Sequence, residues 1–293
     1  MISYKNRERA NVFLLLLPWI LTFLVFWAYP VVYSFILSLS EYKTLSNDMT
    51  FVGFENYTSL LSDDTFLKSL SNTLIFVFVT VPITTTLATI LAVLVDRTNG
   101  KLKEFFKAAY FLPSVTSLVV IALIFKNLYS KEGYINTLLQ MVGMSGQTEG
   151  WLRSVDTALP AIMAMDIWIA TGYYMIIVLA GLQTIPKDLY EAADISDASP
   201  WQQFKNITLP MLKPTLLFIL VVNTIKSFQI FIEIYVMTKG GPLNETSTLV
   251  YQVYQNAFEM TDKMGYASAV AYVLFFIILM ISLIQMKLLR EKY

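Results

Sequence analysis

The chain has 293 residues, of which 56% are hydrophobic and only 14% carry a formal charge. Soluble domains hold about 25% charged residues, so this composition indicates a membrane protein. The 21 basic and 21 acidic side chains cancel, which argues against binding to nucleic acid. The sequence has no cysteine and no histidine, so disulfides, thiolate or imidazole metal sites and histidine general bases are excluded.

Six segments are apolar and long enough to cross a bilayer, whose ~30 Å core needs about 20 helical residues. They are predicted at about 12–39, 72–95, 108–128, 157–182, 215–237 and 268–288. Lipid offers no hydrogen-bond partner to backbone amides, and the short alternating strands of a membrane barrel are not seen in the sequence. We therefore predict an all-α polytopic membrane protein with six transmembrane helices, forming one transmembrane domain over residues 1–293. The first span is predicted to be a retained helix, bent near Pro18 and Pro30, rather than a signal peptide.

Lysine and arginine set the predicted orientation, because basic residues accumulate on the cytoplasmic side. Thirteen of them flank one side of the spans: Lys5, Arg7, Arg9, Arg97, Lys101, Lys103, Lys107, Lys187, Lys205, Lys213, Lys287, Arg290 and Lys292. Seven flank the other side: Lys43, Lys68, Lys126, Lys131, Arg153, Lys239 and Lys263. Both termini are therefore predicted to be cytoplasmic, together with the long fourth connection.

That fourth connection, residues 183–214, predicts a hairpin of two short helices. In the first helix, Leu189, Ala192 and Ile195 repeat at helical spacing after Pro186. The hairpin is predicted either to dock on a partner protein or to lie on the bilayer surface as an amphipathic connector.

A capping-box pattern at 199–202 predicts the start of the second helix of the hairpin. Serine is the N-cap, proline occupies the first helical position and glutamine the third. An apolar stripe is predicted at Trp201, Phe204 and Ile207. Pro210 is expected to follow the end of this helix, since a proline inside a helix removes a hydrogen bond.

The same connection resembles the signature loop of ABC importer permeases. The matching residues are Tyr190-Glu191-Ala192-Ala193, then Ala198, Phe204 and Ile207-Thr208-Leu209-Pro210. In that family the loop forms a coupling helix that sits in a cleft of the cytoplasmic ATPase subunit. The resemblance therefore implies a coupling role for Glu191, Ala192, Ala193, Asp197, Ala198, Phe204, Leu209 and Pro210.

Other segments resemble the sugar-uptake branch of these permeases, of the maltose and multiple-sugar type. They are 51–57 (FVGFENY), Asn72-Thr73, 180–186 (AGLQTIP), 238–242 (TKGGP) and 265–269 (GYASA). The resemblance implies a subunit of a bacterial-type cytoplasmic membrane that pairs with a second, homologous permease as a heterodimer. It also implies a dimeric ATPase that binds ATP and Mg, an extracytoplasmic solute-binding protein and a sugar substrate, with no cofactor on this chain itself.

Two positions depart from the family pattern. Asp197 stands at the bend between the two short helices, where the family usually has glycine, and Lys239 replaces another glycine in the last outer loop. Glycine is used at such positions because it accepts a positive φ, and aspartate is among the few other residues that tolerate one. Docking is expected to survive, with an added negative charge beside the ATPase.

Three ionisable residues, Asp166, Lys226 and Glu233, lie inside predicted spans, where charges are costly and therefore candidates for function. At about 100° per residue, one polar stripe is predicted on the fifth span at Asn223, Lys226, Gln229 and Glu233. Asp166 is predicted to share a face of the fourth span with Tyr173, seven residues away. Three interpretations are open: these six residues line a sugar path, Asp166 and Lys226 form an ion pair that only joins two helices, or an end of a predicted span is misplaced.

Three classes of function are compatible with a membrane chain of this kind. The sequence has no phosphate-binding loop, so a transport subunit would need a separate ATPase. An ion-coupled secondary transporter could use the intramembrane charges, but it would leave the cytoplasmic hairpin unexplained. A membrane enzyme would lack the usual catalytic residues. The transport subunit is the preferred hypothesis.

Overall fold

The computed structural model describes residues 4–43 and 48–289, and most of them are helical. The helices are α1 (Tyr4–Phe23), α2 (Tyr29–Ser38), α3 (Glu55–Leu60), α4 (Asp64–Asp96), α5 (Gly100–Val115), α6 (Leu118–Leu128), α7 (Tyr134–Met141), α8 (Ala158–Leu182), α9 (Lys187–Ile195), α10 (Pro200–Gln203), α11 (Leu209–Met211), α12 (Lys213–Phe228), α13 (Ile232–Met237), α14 (Leu249–Tyr254) and α15 (Met264–Leu289). π-Helical turns occupy Leu24–Ala28, Phe204–Thr208 and Gln255–Glu259. Strands β1 (Ser40–Lys43) and β2 (Asp48–Phe51) form an antiparallel pair.

Five helical stretches of the described residues are long and apolar enough to cross a membrane, and a sixth is a bent pair. The five are Asn11–Ser38, Asp64–Asp96, Ala158–Leu182, Lys213–Met237 and Met264–Leu288. The bent pair is α5 with α6, whose axes meet at 95°. The all-α polytopic class is therefore confirmed. Arg290 and Lys292, which the predicted orientation uses, lie outside the described residues.

The second and third spans differ from the segments predicted for them. Helix α4 begins at Asp64 rather than near residue 72, and its 33 residues extend well beyond the bilayer core. The third span is not one straight helix over 108–128. Pro113 removes a backbone donor, and Thr116 is extended (φ −83°, ψ 149°), so α5 ends and α6 starts in a new direction.

The fifth span is interrupted between α12 and α13. Phe231 has φ −144° and ψ −56°, which is outside the helical region. The Thr248 hydroxyl donates to the Ile230 carbonyl (3.1 Å), so the break leaves this carbonyl satisfied. The break contains neither proline nor glycine, and the pattern of apolar residues does not reveal it.

The first span holds a π-helical turn, Leu24–Ala28, between its two prolines. Pro18 lies inside α1 and Pro30 lies at the start of α2. A π-turn of this kind is a usual way for a helix to absorb an irregularity. None of the 18 residues in the most apolar window of this span is buried.

The chain divides into two compact units, the first made of Met1–Asp63 and Val253–Val273, the second of Asp64–Gln252 and Leu274–Tyr293. In the first unit, the Asn56 amide donates to the carbonyls of Ser38 and Ser40, each at 3.0 Å. A side chain at Gly265 would lie 2.0 Å from the Ser40 carbonyl oxygen, so only glycine fits there. Asn56 and Gly265, one residue from each of the segments 51–57 and 265–269, therefore both lie against the backbone at Ser40.

The core of the second unit lies where α4 packs against α8. In the most apolar 18-residue stretch of α8, 67% of the residues are buried. One apolar cluster joins Phe76 of α4 to Ile162 and Met165 of α8, and a second joins Ala88 and Ala92 to residues 170–182 of α8. Helix α5 also crosses α8 closely. At Gly172, an added Cβ would lie 1.7 Å from the Tyr110 carbonyl oxygen. Small residues permit this approach, which is how helices associate in lipid.

Gly172→Ala is predicted to destabilise the protein by about 3 kcal/mol, because backbone atoms of α5 would have to move away from α8. Gly181→Ala is the matched control. Its Cβ would meet mainly the Thr215 side chain, at 2.7 Å, and a side chain can rotate away. Thermal unfolding in detergent should rank Gly172→Ala well below Gly181→Ala, and equal losses of stability would contradict this view of the α5–α8 crossing.

Candidate functional site

The hairpin between the fourth and fifth spans is formed by α9 and by the run of helix that starts at α10. The predicted capping box is present: the Gln202 amide donates to the Ser199 hydroxyl (3.3 Å), and the Ser199 amide donates to the Gln202 side chain (2.7 Å). The second short helix therefore begins where its local sequence predicts.

The turn of the hairpin depends on Asp197, which has φ 53°. This is the left-handed conformation that glycine adopts without cost, and the aspartate adopts it here. Next to the turn, the Gln203 side chain donates to the Asp194 carboxylate (2.6 Å) and to the Ala198 carbonyl (3.2 Å). These bonds fix the angle between the two helices.

The hairpin packs against the membrane-spanning helices. The hydroxyls of Tyr190 and Thr208 lie 2.9 Å apart and join its two helices. Tyr190 and Ile207 pack against the apolar cluster that holds Ala92 and Val95 of α4. The hairpin is therefore in direct contact with the apolar cluster between α4 and α8.

The second helix of the hairpin does not end before Pro210, which is a correction to the prediction. After α10 come the π-turn Phe204–Thr208 and then α11, which contains Pro210 near its start. The π-turn changes the hydrogen-bond register, so the proline enters at the first turn of a new α-helical piece, where its missing donor costs little.

The side of the hairpin away from the spans exposes apolar residues. Ile195 is 86% exposed and Trp201 is 69% exposed. Glu191 and Ala192 are exposed as well, while Ala193, Ala198 and Phe204 are partly buried. A short helical hairpin with exposed apolar side chains is suited to docking on a protein.

The intramembrane polar residues form two sets rather than one stripe. Asn223, Glu233 and Asp166 are buried, with 1%, 4% and 6% of their surface exposed. Lys226 and Gln229 are exposed, and so is Tyr173. The single stripe on the fifth span is not formed, because Gln229 lies at the end of α12 and Glu233 lies on α13 beyond the break. Asp166 and Tyr173 both lie on the continuous helix α8, where the first is buried and the second is exposed.

Asp166, Lys226 and Glu233 are nevertheless brought together from three helices. The Asp166 carboxylate is within electrostatic range of the Lys226 ammonium and of the Glu233 carboxylate. Among the residues that the structure describes, no ion pair within 4 Å joins Asp166 to Lys226. The Glu233 carboxylate lies against the backbone amides of Phe231 and of its own residue. Two buried carboxyl groups, those of Asp166 and Glu233, therefore lie near the exposed side chain of Lys226.

The described residues contain no group of three or more histidine, cysteine, aspartate or glutamate side chains that could hold a metal ion.

The family described as "Binding-protein-dependent transport system inner membrane component" matches residues 61–290. The chain belongs to this family. The matched region includes the hairpin, the α4–α8 packing and all six polar intramembrane residues. The chain is thus a permease subunit of a transport system, and the prediction of a transport subunit rather than an enzyme is confirmed.

Relatives of this permease match it over nearly its whole length. The lactose transport system permease protein LacF of Rhizobium radiobacter is 37% identical over 99% of this chain and 97% of its own length. The arabinooligosaccharides transport system permease protein AraP of Bacillus subtilis is 36% identical over 96% of this chain and 89% of its own. The trehalose/maltose transport system permease protein MalF of Thermococcus litoralis is 34% identical over 97% of this chain and 95% of its own.

A solved structure shares the fold of this permease. A chain of a bacterial alginate ABC transporter, in complex with a periplasmic protein that holds an alginate pentasaccharide, superposes with a TM-score of 0.85. The alignment covers 99% of this chain and 98% of that one, at 22% identity. This likeness concerns the fold of the permease.

Sequence reasoning missed the residues that organise the end of the second unit opposite the hairpin. The Asn72 amide donates to the carbonyls of Asn244 (2.8 Å) and Ser247 (3.0 Å), and the Leu249 amide donates to the Thr73 hydroxyl (3.0 Å). In the sequence, Asn72-Thr73 stands out only by its resemblance to the sugar-uptake permeases. Buried asparagine and threonine inside an apolar helix were the physical signal that could have indicated this role.

Asp166→Asn and Lys226→Met are predicted to leave the stability of the permease within about 1 kcal/mol of wild type, since no direct ion pair joins these side chains. Their coupling energy in a double-mutant cycle should also stay below about 1 kcal/mol. Thermal unfolding of the two single variants and the double variant measures this. Losses of about 3–5 kcal/mol in each single variant, recovered in the double variant, would instead indicate a buried ion pair.

Proposed function

We propose that this permease carries a sugar or oligosaccharide across the membrane as one of two homologous permease subunits of an ATP-driven ABC importer. The proposal is supported by relatives that are named for lactose, arabinooligosaccharides and trehalose/maltose and that match nearly the full chain. An extracytoplasmic solute-binding protein delivers the sugar. Residues 1–293 act as one transmembrane permease domain of a bacterial-type cytoplasmic membrane.

The ATPase in this proposal is a separate dimeric subunit, which binds ATP and Mg and docks on the hairpin. The single observation that carries this proposal is the hairpin itself: Ile195 and Trp201 are exposed, whereas Tyr190 and Ile207 pack against the apolar cluster of α4 and α8. Glu191, Ala192, Ala193, Asp197 and Ala198 form the first part of the coupling surface. Phe204, Leu209 and Pro210 complete it.

The sugar path in this proposal runs beside α8, α12 and α13. Tyr173, Lys226 and Gln229 are the exposed side chains that would contact the sugar. Asp166, Asn223 and Glu233 lie behind them and would complete the hydrogen-bonding shell when the second permease and the sugar are present. Carboxylate and amide groups pair well with sugar hydroxyls, and an aromatic ring such as that of Tyr173 can stack on a sugar ring. An ion-coupled secondary transporter is not favoured, since the family is one of binding-protein-dependent systems.

Glu191→Lys is predicted to weaken ATPase docking at least tenfold, because it reverses a charge on the exposed face of α9. Ala193→Trp should have a similar effect by adding bulk at a partly buried position of the same helix. Co-purification of the ATPase with the permease, and the ATPase rate of the assembled complex, measure both effects.

Glu104→Lys is the matched control for charge reversal. Its carboxylate is exposed on α5 and pairs with Lys107, three residues along the same helix, so the change should cost little stability. Each variant should still elute as a folded permease in size-exclusion chromatography. Normal ATPase recovery with Glu191→Lys and Ala193→Trp together would contradict docking at the hairpin.

A further inference from the structure

A cleft of about 960 Å³ opens in the second unit, at the end of α8 that lies away from the hairpin. One wall is the end of α6 with the loop up to Arg153, and the other wall is formed by residues 237–242. The volume is at the upper end of the range for ligand sites, and the cleft is lined by many polar and charged groups. Neither the coupling hairpin nor the sugar path uses this cleft.

The loop wall of the cleft is rigid. The Asn136 amide donates to the carbonyls of Lys131 (2.9 Å) and Gln147 (2.8 Å), and its oxygen accepts from the Trp151 indole (2.9 Å). The Tyr129 hydroxyl donates to the Ala161 carbonyl at the start of α8 (2.9 Å). Burial of the Tyr129 side chain also raises the pKa of its hydroxyl to about 12.

The opposite wall is held in the same manner. The Thr246 hydroxyl donates to the Gly241 carbonyl and lies close to the Thr238 hydroxyl, each at 2.7 Å. The Lys126 ammonium donates to the Val236 carbonyl (3.1 Å) and so connects the two walls. A cleft with two fixed walls loses little conformational freedom when a partner binds, and this favours affinity.

Five charged side chains line the cleft: Lys126, Lys131, Arg153, Glu132 and Glu149. All five are exposed, and within the part of the chain that the structure describes none forms an ion pair within 4 Å. Three cations against two anions give the cleft a positive excess. Charges that are exposed, unpaired and held on fixed walls suit a partner that supplies complementary charges.

We propose that this cleft receives an acidic, protruding segment of the solute-binding protein, whose carboxylates pair with Lys131 and Arg153. The inference rests on the proposed function, which supplies the partner and places this end of α8 on the outer side. A neutral sugar fits the cleft less well, since it has no charge to pair with the three cations. An apolar segment would bury the charged side chains without a partner. Rim charges of this kind act mainly on the association rate and make it sensitive to salt.

The test uses the complete importer in proteoliposomes and measures the concentration of solute-binding protein that gives half-maximal stimulation of the ATPase. Lys131→Glu/Arg153→Glu should raise this concentration at least tenfold while leaving the stimulated rate at saturation unchanged. Raising the salt from about 50 to about 300 mM should raise the wild-type value several-fold and that of the double variant much less.

Lys43→Glu/Lys263→Glu is the matched control, because it makes the same change in net charge at exposed residues that do not line the cleft. It should shift the half-maximal concentration less than twofold. Glu132→Gln/Glu149→Gln should lower the half-maximal concentration, since it increases the positive excess of the cleft.

Three results would overturn the inference. An unchanged half-maximal concentration in Lys131→Glu/Arg153→Glu would exclude docking by these charges. An equal rise of the half-maximal concentration in Lys43→Glu/Lys263→Glu would show that net surface charge, and not the cleft, controls binding. A change only in the sugar concentration for half-maximal uptake, at saturating solute-binding protein, would make the cleft a sugar site. Failure of the proposed function looks different, since then no solute-binding protein would stimulate the wild-type complex.

Discussion

The close packing of α4 against α8 is the contact on which the rest of the second unit depends. Both apolar clusters of this unit lie along it, one towards the hairpin and one towards the cleft. The cluster near the hairpin includes Ile185 and Leu212, at the two ends of the connection that carries the hairpin. The other cluster includes Tyr129 and Met237, on the two walls of the cleft. The α4–α8 pair therefore joins the hairpin and the cleft through two packed apolar clusters.

The packing has this form because lipid removes the usual hydrophobic drive for helices to associate. Close approach of small residues and internal hydrogen bonds must hold the helices together instead. Ala88 and Ala92 on α4 and Ala170 on α8 provide the small surfaces of this packing, and Gly172 provides the one at which α5 crosses α8. Thr73, Thr80 and Thr89 direct their hydroxyls to carbonyls one turn back in α4, so that polar residues are accommodated in an apolar helix.

Much of the fold could be predicted from the sequence, because the bilayer imposes strong and local rules. Apolar length located the spans, and serine, proline and glutamine at 199–202 predicted a capping box that the structure contains. The left-handed turn at Asp197 was expected from the glycine that relatives have there, and its φ of 53° agrees.

The rest could not be predicted, because it depends on contacts between distant residues. The break before α13 is compensated by Thr248, which is 18 residues from the carbonyl it satisfies. The polar stripe failed for this reason: angles of 100° per residue hold only while a helix continues. The hydrogen bonds from Asn72 to the carbonyls of Asn244 and Ser247 join residues more than 170 positions apart, and no local sequence pattern reveals such a pair.

The central claim is that this permease presents its coupling hairpin to the cytoplasm and the loop that carries β2 to the exterior. The natural chain has no cysteine, so single cysteines can be placed and labelled without background. Thr50→Cys and Ser196→Cys lie at exposed positions of β2 and of the hairpin turn. In intact cells, an impermeant maleimide should label Thr50→Cys and leave Ser196→Cys unlabelled until the membrane is opened. Labelling of Ser196→Cys from outside, or of Thr50→Cys only from the cytoplasmic side, would contradict the account.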